Sequence, residues 1–338
     1  MSNASTQIET VQGCLPIATG VIAERPGLWW LDMHEVRLSE PFFQQSVDRF
    51  RREHPERQAR FTEFHLLPQL EKSFDSIRPA GFIFHSSRCG STLLANAGRS
   101  IPGSIVISEA NAIDQLVARF LTDSEPREVK RAIYSALLKA VVSAFGQRIT
   151  GQERHLIVKF SCCSTSELER ITRIWPDVPW IFVYRDPIET IVSNLKTMPG
   201  WLLDEDRRIL SAVIGEPVSA IGEMDPTELC ARTIGSFYAT ARQLANRDCM
   251  LLNYEQLSLE TLLNVLEFFG IAPTAEEEDE IAVAAQFYSK ETTTRVFESD
   301  ALNKRSQAND RVCEMAARWS YPQYAELEKT RLELEESC

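Results

Sequence analysis

From Ala80 onward the chain alternates short apolar runs with longer stretches of helical period. The runs are GFIFHS (81–86), SIVISE (104–109), HLIVKF (155–160), PWIFVYRD (179–186) and CMLLNYE (249–255). Each is nearly continuous in apolarity and rich in branched and aromatic residues. That is the pattern of strands buried on both faces, as in a parallel sheet. Leu93 to Arg99, Ala112 to Leu121, Arg127 to Phe145 and Thr165 to Trp175 lie between the runs and read as helices. The alternation predicts an α/β layer fold with right-handed crossovers.

Two further helix starts are well marked. Asp186-Pro187-Ile188-Glu189 and Asp225-Pro226-Thr227-Glu228 each place aspartate at the cap, proline at the first position and glutamate at the third. The second helix is expected to run from Pro226 to about Asn246, with Leu229, Ile234, Phe237, Ala241 and Leu244 on its buried face. The connection from Thr197 to Met224 is long for a compact domain. It reads either as a lid or acceptor-binding element or as a surface insertion. The acidic run Glu276 to Glu280 reads as a solvated helix N-terminus, where carboxylates favour the dipole.

Residues 1–75 lack this alternation and read as an accessory segment ahead of a main domain over 76–338. Gly27 to Leu38 has strand-like patches. Ser39-Glu40-Pro41 opens a helical stretch in which Phe42, Phe43, Val47 and Phe50 form one apolar stripe.

Composition narrows the function classes. The 338 residues are 44% apolar and 25% charged, as in an ordinary globular protein that needs no membrane span. The net charge of −12 argues against a general nucleic-acid binder, so a polyanion site must be a local basic pocket in an acidic body. Eight cysteines are scattered without a CxxC pair, and no basic segment followed by an apolar one opens the chain. Reduced thiols in a cytoplasmic protein are expected, with Cys162-Cys163 as small buried or half-buried residues. The five histidines are dispersed and no HEXXH or EF-hand is present, so no metal site is expected.

The candidate chemistry begins at FIFHSSRCGSTLL, residues 82–94. A loop between a buried strand and a helix is a ready anion site, because backbone N–H groups and the helix N-terminus point to one spot. Gly90 allows close approach, Ser91 and Thr92 add hydroxyls, and Arg88 adds a charge that can fork onto phosphate oxygens. The pattern GxxxxGK[ST] is absent, with serine in the place of its lysine. That weighs against ATP or GTP, although Glu109 could be offered as the acidic partner of a bound magnesium. A second piece, Val183-Tyr184-Arg185-Asp186-Pro187, ends a buried strand and opens a capped helix. Ser193 follows Asp186 by about two helical turns, so it lies on the face of the cap and can grip an anion together with Arg185. A local ion pair is the other reading of that arginine.

SRCGSTLL and RDPIETIVSNL together resemble the sulfotransferases that use 3′-phosphoadenosine 5′-phosphosulfate (PAPS). The loop looks like the branch with an arginine-bearing Ser-Thr loop, rather than the one with Pro-Lys-Ser-Gly-Thr-Thr-Trp. The resemblance covers roughly Ala80 to Leu327. It implies a three-layer, P-loop-type α/β/α domain with a five-stranded parallel sheet in the order 2-3-1-4-5; the small N-terminal accessory segment lies outside it. It also implies that Arg88, Cys89, Gly90, Ser91, Thr92 and Leu93 hold the 5′-phosphosulfate, and that Arg185 and Ser193 hold the 3′-phosphate. A late basic loop closes over that phosphate in the family. Lys304 and Arg305 are its candidates here, although the RKGxxGDWK signature is absent.

The implied reaction moves a sulfuryl group from PAPS to a hydroxyl or amine of a small-molecule or glycan-like acceptor, leaving the bisphosphate PAP, with no metal. An acceptor hydroxyl needs a base. Glu109, at the end of the second strand, is one candidate and is supported by the resemblance. His85, just before the loop, is the other. Glu109 could instead cap the next helix or pair with the loop arginine. Lys159, at the end of the third strand, could touch the sulfonate or simply snorkel at an edge. Two rival functions stay open: a P-loop small-molecule kinase and a non-catalytic nucleotide-binding protein on the same fold. Acceptor identity and oligomeric state, a homodimer included, are not legible.

Overall fold

The computed structural model describes residues 11–336, except 34, 35, 37, 124–126 and 286–300. Five parallel strands form the central sheet: β4 (Pro79–His85), β5 (Ser104–Ser108), β6 (His155–Lys159), β7 (Trp180–Tyr184) and β8 (Cys249–Asn253). Their order is β5-β6-β4-β7-β8, which is 2-3-1-4-5 counted from β4, as the resemblance implied. Successive residues of β4 face opposite layers. Phe82 and Phe84 enter one core with Phe160, Phe182 and Val141. Ile83 enters another with Leu94, Val106, Ile181, Leu252 and Leu266. Helices Asn111–Thr122, Arg127–Phe145 and Pro226–Leu244 contribute to the first core. Helices Ser91–Ser100, Leu259–Phe268 and Ala275–Ala285 contribute to the second. The domain is therefore a three-layer α/β/α sandwich.

The helix starts fall where the capping signals put them. Asp186 caps Pro187–Lys196 by accepting from Glu189 N, and Asp225 caps Pro226–Leu244 by accepting from Thr227 N and Glu228 N. The connection between these helices folds into three short helices, Gly200–Leu203, Arg208–Ile214 and Val218–Gly222. Near the C-terminus, the helix Tyr321–Glu335 docks through a buried polar network. Tyr184 bonds Glu328, and Asn253 Nδ2 donates to Tyr324 Oη (2.8 Å) and Glu328 Oε1 (3.0 Å).

The N-terminal segment is more ordered than its sequence pattern conveys. β1 (Cys14–Ile22), β2 (Arg25–Asp32) and β3 (Arg60–Glu63) form an antiparallel sheet in the order β1-β2-β3. The following helix is Phe43–Glu53, so it begins two residues after Pro41 rather than at it. Phe42 is its cap, and the Gln45 side chain accepts the Phe42 amide at 3.2 Å. Leu28, Trp30, Phe43, Val47 and Phe50 are buried in the same cluster as Phe82 and Phe84. One core thus runs from the accessory sheet into the main domain. No helix among the described residues is long and apolar enough to cross a membrane.

Candidate active site

The turn after β4 is shaped by its backbone. Ser87, Arg88 and Gly90 all have positive φ, at 77°, 52° and 85°. For Ser87 and Arg88 this region costs roughly 1–2 kcal/mol each. Gly90 occupies it freely and is the N-cap of helix Ser91–Ser100, which has no side-chain cap of its own. Leu93 N turns back to Gly90 O (2.9 Å), which leaves the earlier amides of the first turn for an outside acceptor of hydrogen bonds. Ser91 and Thr92 are buried, and Leu93 is half-buried against the second core.

The turn is bound directly to the Arg185 region. Val183 O accepts from Ser86 N and from the Cys89 thiol, both at 3.0 Å. Ser87 Oγ donates to Asn194 Oδ1 (2.9 Å), and Arg88 donates to Thr197 O (2.7 Å). Both anchors belong to the helix that Arg185-Asp186 opens or to its C-cap. The two motifs, about a hundred residues apart in sequence, share one rim of the sheet. Tyr254 joins them further. Its ring lies 3.9 Å from the Arg185 guanidinium carbon and beside the space where a Gly90 Cβ would stand.

Arg185 is only 3% exposed. Its Nε donates to Glu189 Oε2 at 2.6 Å, so the local ion pair open in the sequence exists, with Glu189 rather than with the capping Asp186. The other Glu189 oxygen accepts from Arg305 Nε at 2.8 Å. Arg305 also lies near Asp186 (3.7 Å) and Glu255 (3.6 Å). The helix Ala301–Ser306, which carries Lys304 and Arg305, thus reaches the Arg185 end of the rim. Ser193 is half-buried on the same helix as Glu189.

A second cluster lies at the ends of β4, β5 and β6. Glu109 has φ +52° and donates its amide to Lys159 O (2.8 Å). Its carboxylate bonds the Lys159 ammonium, not the loop arginine. Lys159 is 1% exposed on an interior strand, so it does not snorkel at an edge. The ring of Phe42, from the N-terminal segment, sits 5.2 Å from its ammonium. His85 Nε2 lies 3.3 Å from Glu109 Oε1, while His85 Nδ1 accepts the Ser87 amide at 3.1 Å. That pattern places the imidazole proton on Nε2. Burial alone would raise the Glu109 carboxyl. The Lys159 charge and the His85 contact overrule it and hold the group well below the usual carboxylate range.

Three members of these clusters escape sequence reading, Asn194, Tyr254 and Asp114, and Phe42 reads there only as part of an apolar stripe. Asp114 stands in the first turn of helix Asn111–Thr122, beside Glu109. Burial pushes its carboxyl up to about 7, with the Glu109 charge adding and Ser161, Lys159 and His85 opposing.

An α/β/α sandwich with an uncapped helix N-terminus at the carboxyl ends of its strands has the P-loop-type architecture. The family description that matches residues 79–276 is the sulfotransferase family, and since this is more than half of the 338 residues, the chain belongs to it. Solved structures of similar fold include sulfotransferase STF9 from Mycobacterium avium, 11% identical over 82% of each chain, with TM-score 0.43. A sulfotransferase from Alicyclobacillus acidocaldarius is 14% identical over 75% of this chain and 96% of that one, with TM-score 0.42. Mouse sulfotransferase SULT7A1 complexed with PAP is 14% identical over 80% and 90% of the two chains, with TM-score 0.35. At such identities and scores the likeness assigns no residue a role. No curated protein matches the chain.

Proposed function

We propose that this sulfotransferase uses PAPS as donor and delivers the sulfuryl group to a hydroxyl or amine of a small-molecule or glycan-like acceptor. The observation that carries the reading is the contact between the two anion elements. The Gly90 turn and the Arg185 strand end share Val183, Asn194 and Tyr254 as common supports. A ligand with phosphates at two ends suits such a pair. The amides of the turn with Ser91 and Thr92 take the 5′ end. Arg185, Ser193, Lys304 and Arg305 take the 3′ phosphate.

In the transfer, an acceptor oxygen bonds to sulfur while its proton passes to a base at the neighbouring strand ends, Glu109 or His85, and the sulfur–phosphate oxygen bond breaks with its electron pair leaving on the bisphosphate. Preorganised donors stabilise that departing charge. Lys159 and Glu109 sit at the neighbouring strand ends, where they orient the acceptor and the sulfonate. His85 Nε2 stands 3.3 Å from Glu109, and its Nδ1 is already committed to Ser87 N.

Calorimetry with PAP and with Mg-ATP on the full chain tests the donor. PAP is expected to bind and Mg-ATP not. Tighter binding of Mg-ATP would replace the reading with phosphoryl transfer.

A further inference from the structure

A cavity of about 770 Å³ lies outside the candidate active site. The N-terminal segment, helix Ser91–Ser100, the edge strand β5 and helix Ala275–Ala285 wall it in. Among the described residues that line it, none comes from the Gly90 turn, and Arg185, Glu109, Lys159 and His85 are absent. Its volume is in the range of small-molecule pockets. The walls are largely apolar, with Leu15, Met33, Leu38, Ile105 and Phe145 among them. Arg99 is the one cation among its described lining residues. That arginine is half-buried and makes no ion pair with a described residue. Its Nη1 donates to the Asn96 side-chain oxygen (2.6 Å) and its Nη2 to Pro41 O (3.3 Å), both neutral acceptors. Each of these nitrogens carries a second hydrogen. Glu40 attracts the guanidinium from a distance but is itself taken by Arg49 and Ser46.

We propose that this cavity is a second ligand site, which takes an apolar molecule with a single carboxylate head and seats that head on Arg99. A cation drawn out of water without an acid beside it is costly, and an anionic ligand supplies the missing partner. Burial pulls the Arg99 guanidinium down to about 10, so it is still charged at neutral pH. Its planar fork matches a carboxylate better than it matches a hydroxyl. The three acids that line the cavity do not compete for it. Glu153 Oε1 is spent within its own turn, where it accepts from Ile149 N (3.2 Å), Thr150 N (2.9 Å) and Thr150 Oγ1 (2.9 Å). Asp279 and Glu280 are exposed, at the solvent rim. An acyl chain suits the apolar walls, whose burial supplies most of the binding. The site is independent of the donor reading. It does adjoin it through one element, because the helix capped by Gly90 carries Asn96, Arg99 and Ser100 on the cavity at its other end.

The test uses the full chain, with dodecanoate, dodecanol and dodecyltrimethylammonium as probes below their micellar concentrations. Calorimetry reads affinity, and the melting temperature reads ligand linkage. Dodecanoate is expected to bind and to raise the melting temperature. Dodecanol should bind about tenfold more weakly, the worth of a hydrogen bond to a charged group, and the ammonium more weakly still. Arg99→Met should bring dodecanoate down to the level of dodecanol while dodecanol itself still binds, which shows the cavity intact. Ala284→Trp places a large ring on the cavity wall and should exclude both, with its melt still cooperative. Wild-type protein that binds none of the probes, or takes the alcohol as well as the acid, overturns the proposal whatever the variants do. So does dodecanoate binding that survives unchanged in Arg99→Met or in Ala284→Trp. PAP affinity is measured alongside, and its absence would count against the donor reading alone.

Discussion

The turn at Ser86–Gly90 and the strand end at Arg185 lie side by side, yet they are built by opposite means. The turn is a backbone device. Its positive φ angles at Ser87, Arg88 and Gly90 aim amides, and no charged group need be buried to do so. The Arg185 end is a side-chain device. Two arginines share one carboxylate, Glu189, that is only 2% exposed. The first depends on conformation and the second on charge balance. Mutations should separate them along those lines.

The largest effect is expected at the charge-balanced end. Glu189→Ala leaves the buried Arg185 without its partner and should cost about 3–5 kcal/mol of stability, read by chemical denaturation. Glu189→Gln keeps the shape, is milder, and should tighten PAP by making the pocket more positive. Weaker PAP binding in that variant would mean that Glu189 orients Arg185 rather than merely neutralising it. Arg185→Ala should weaken PAP by about 1.5–3 kcal/mol in calorimetry, the worth of a hydrogen bond to a charged group. An unchanged affinity would detach Arg185 from the 3′ phosphate.

At the turn, Gly90→Ala forces a side chain into the left-handed region at roughly 1–2 kcal/mol. Its methyl would also lie 2.4 Å from Leu257 Cδ1 and 3.1 Å from Tyr254 Cδ2, so Leu257 must shift. PAP affinity should fall together with the melting temperature. Arg88→Ala removes the bond to Thr197 O and should cost about 0.5–1.5 kcal/mol, the smallest change of the set. A larger loss of PAP affinity than of stability would show that Arg88 swings from Thr197 onto the ligand.

What the sequence disclosed follows the same division between local and distant. The five parallel strands were legible because burial on both faces leaves unbroken apolar runs. The capped helices were legible because Asp-Pro-x-Glu is a local signal. β1 was not, because Pro16 and Gly20 interrupt its run. Its hairpin turn uses Ala23 and Glu24 at φ 48° and 65°, without the Asn-Gly or Gly that usually marks such a turn. Ser39-Glu40-Pro41 suggested an earlier start for the next helix, but the amide side chain of Gln45 fixes it at Phe42. In the candidate site, Gly90 and Arg185 announce themselves through their own neighbours in sequence. Tyr254, Asn194, Asp114 and Phe42 gain meaning only when crossovers bring them to the rim, and nothing adjacent to them in the chain marks that arrival.

The shared core has a practical outcome for anyone trimming this enzyme. An expression fragment starting at Pro79 would strip Trp30, Phe43 and Phe50 from their contacts, and would uncover the wall they press against. At about 1.5–3 kcal/mol for each large apolar side chain withdrawn, such a fragment would lose more than a typical domain has to spare. It should precipitate rather than bind nucleotide, and it would also have shed the aromatic ring that shields Lys159.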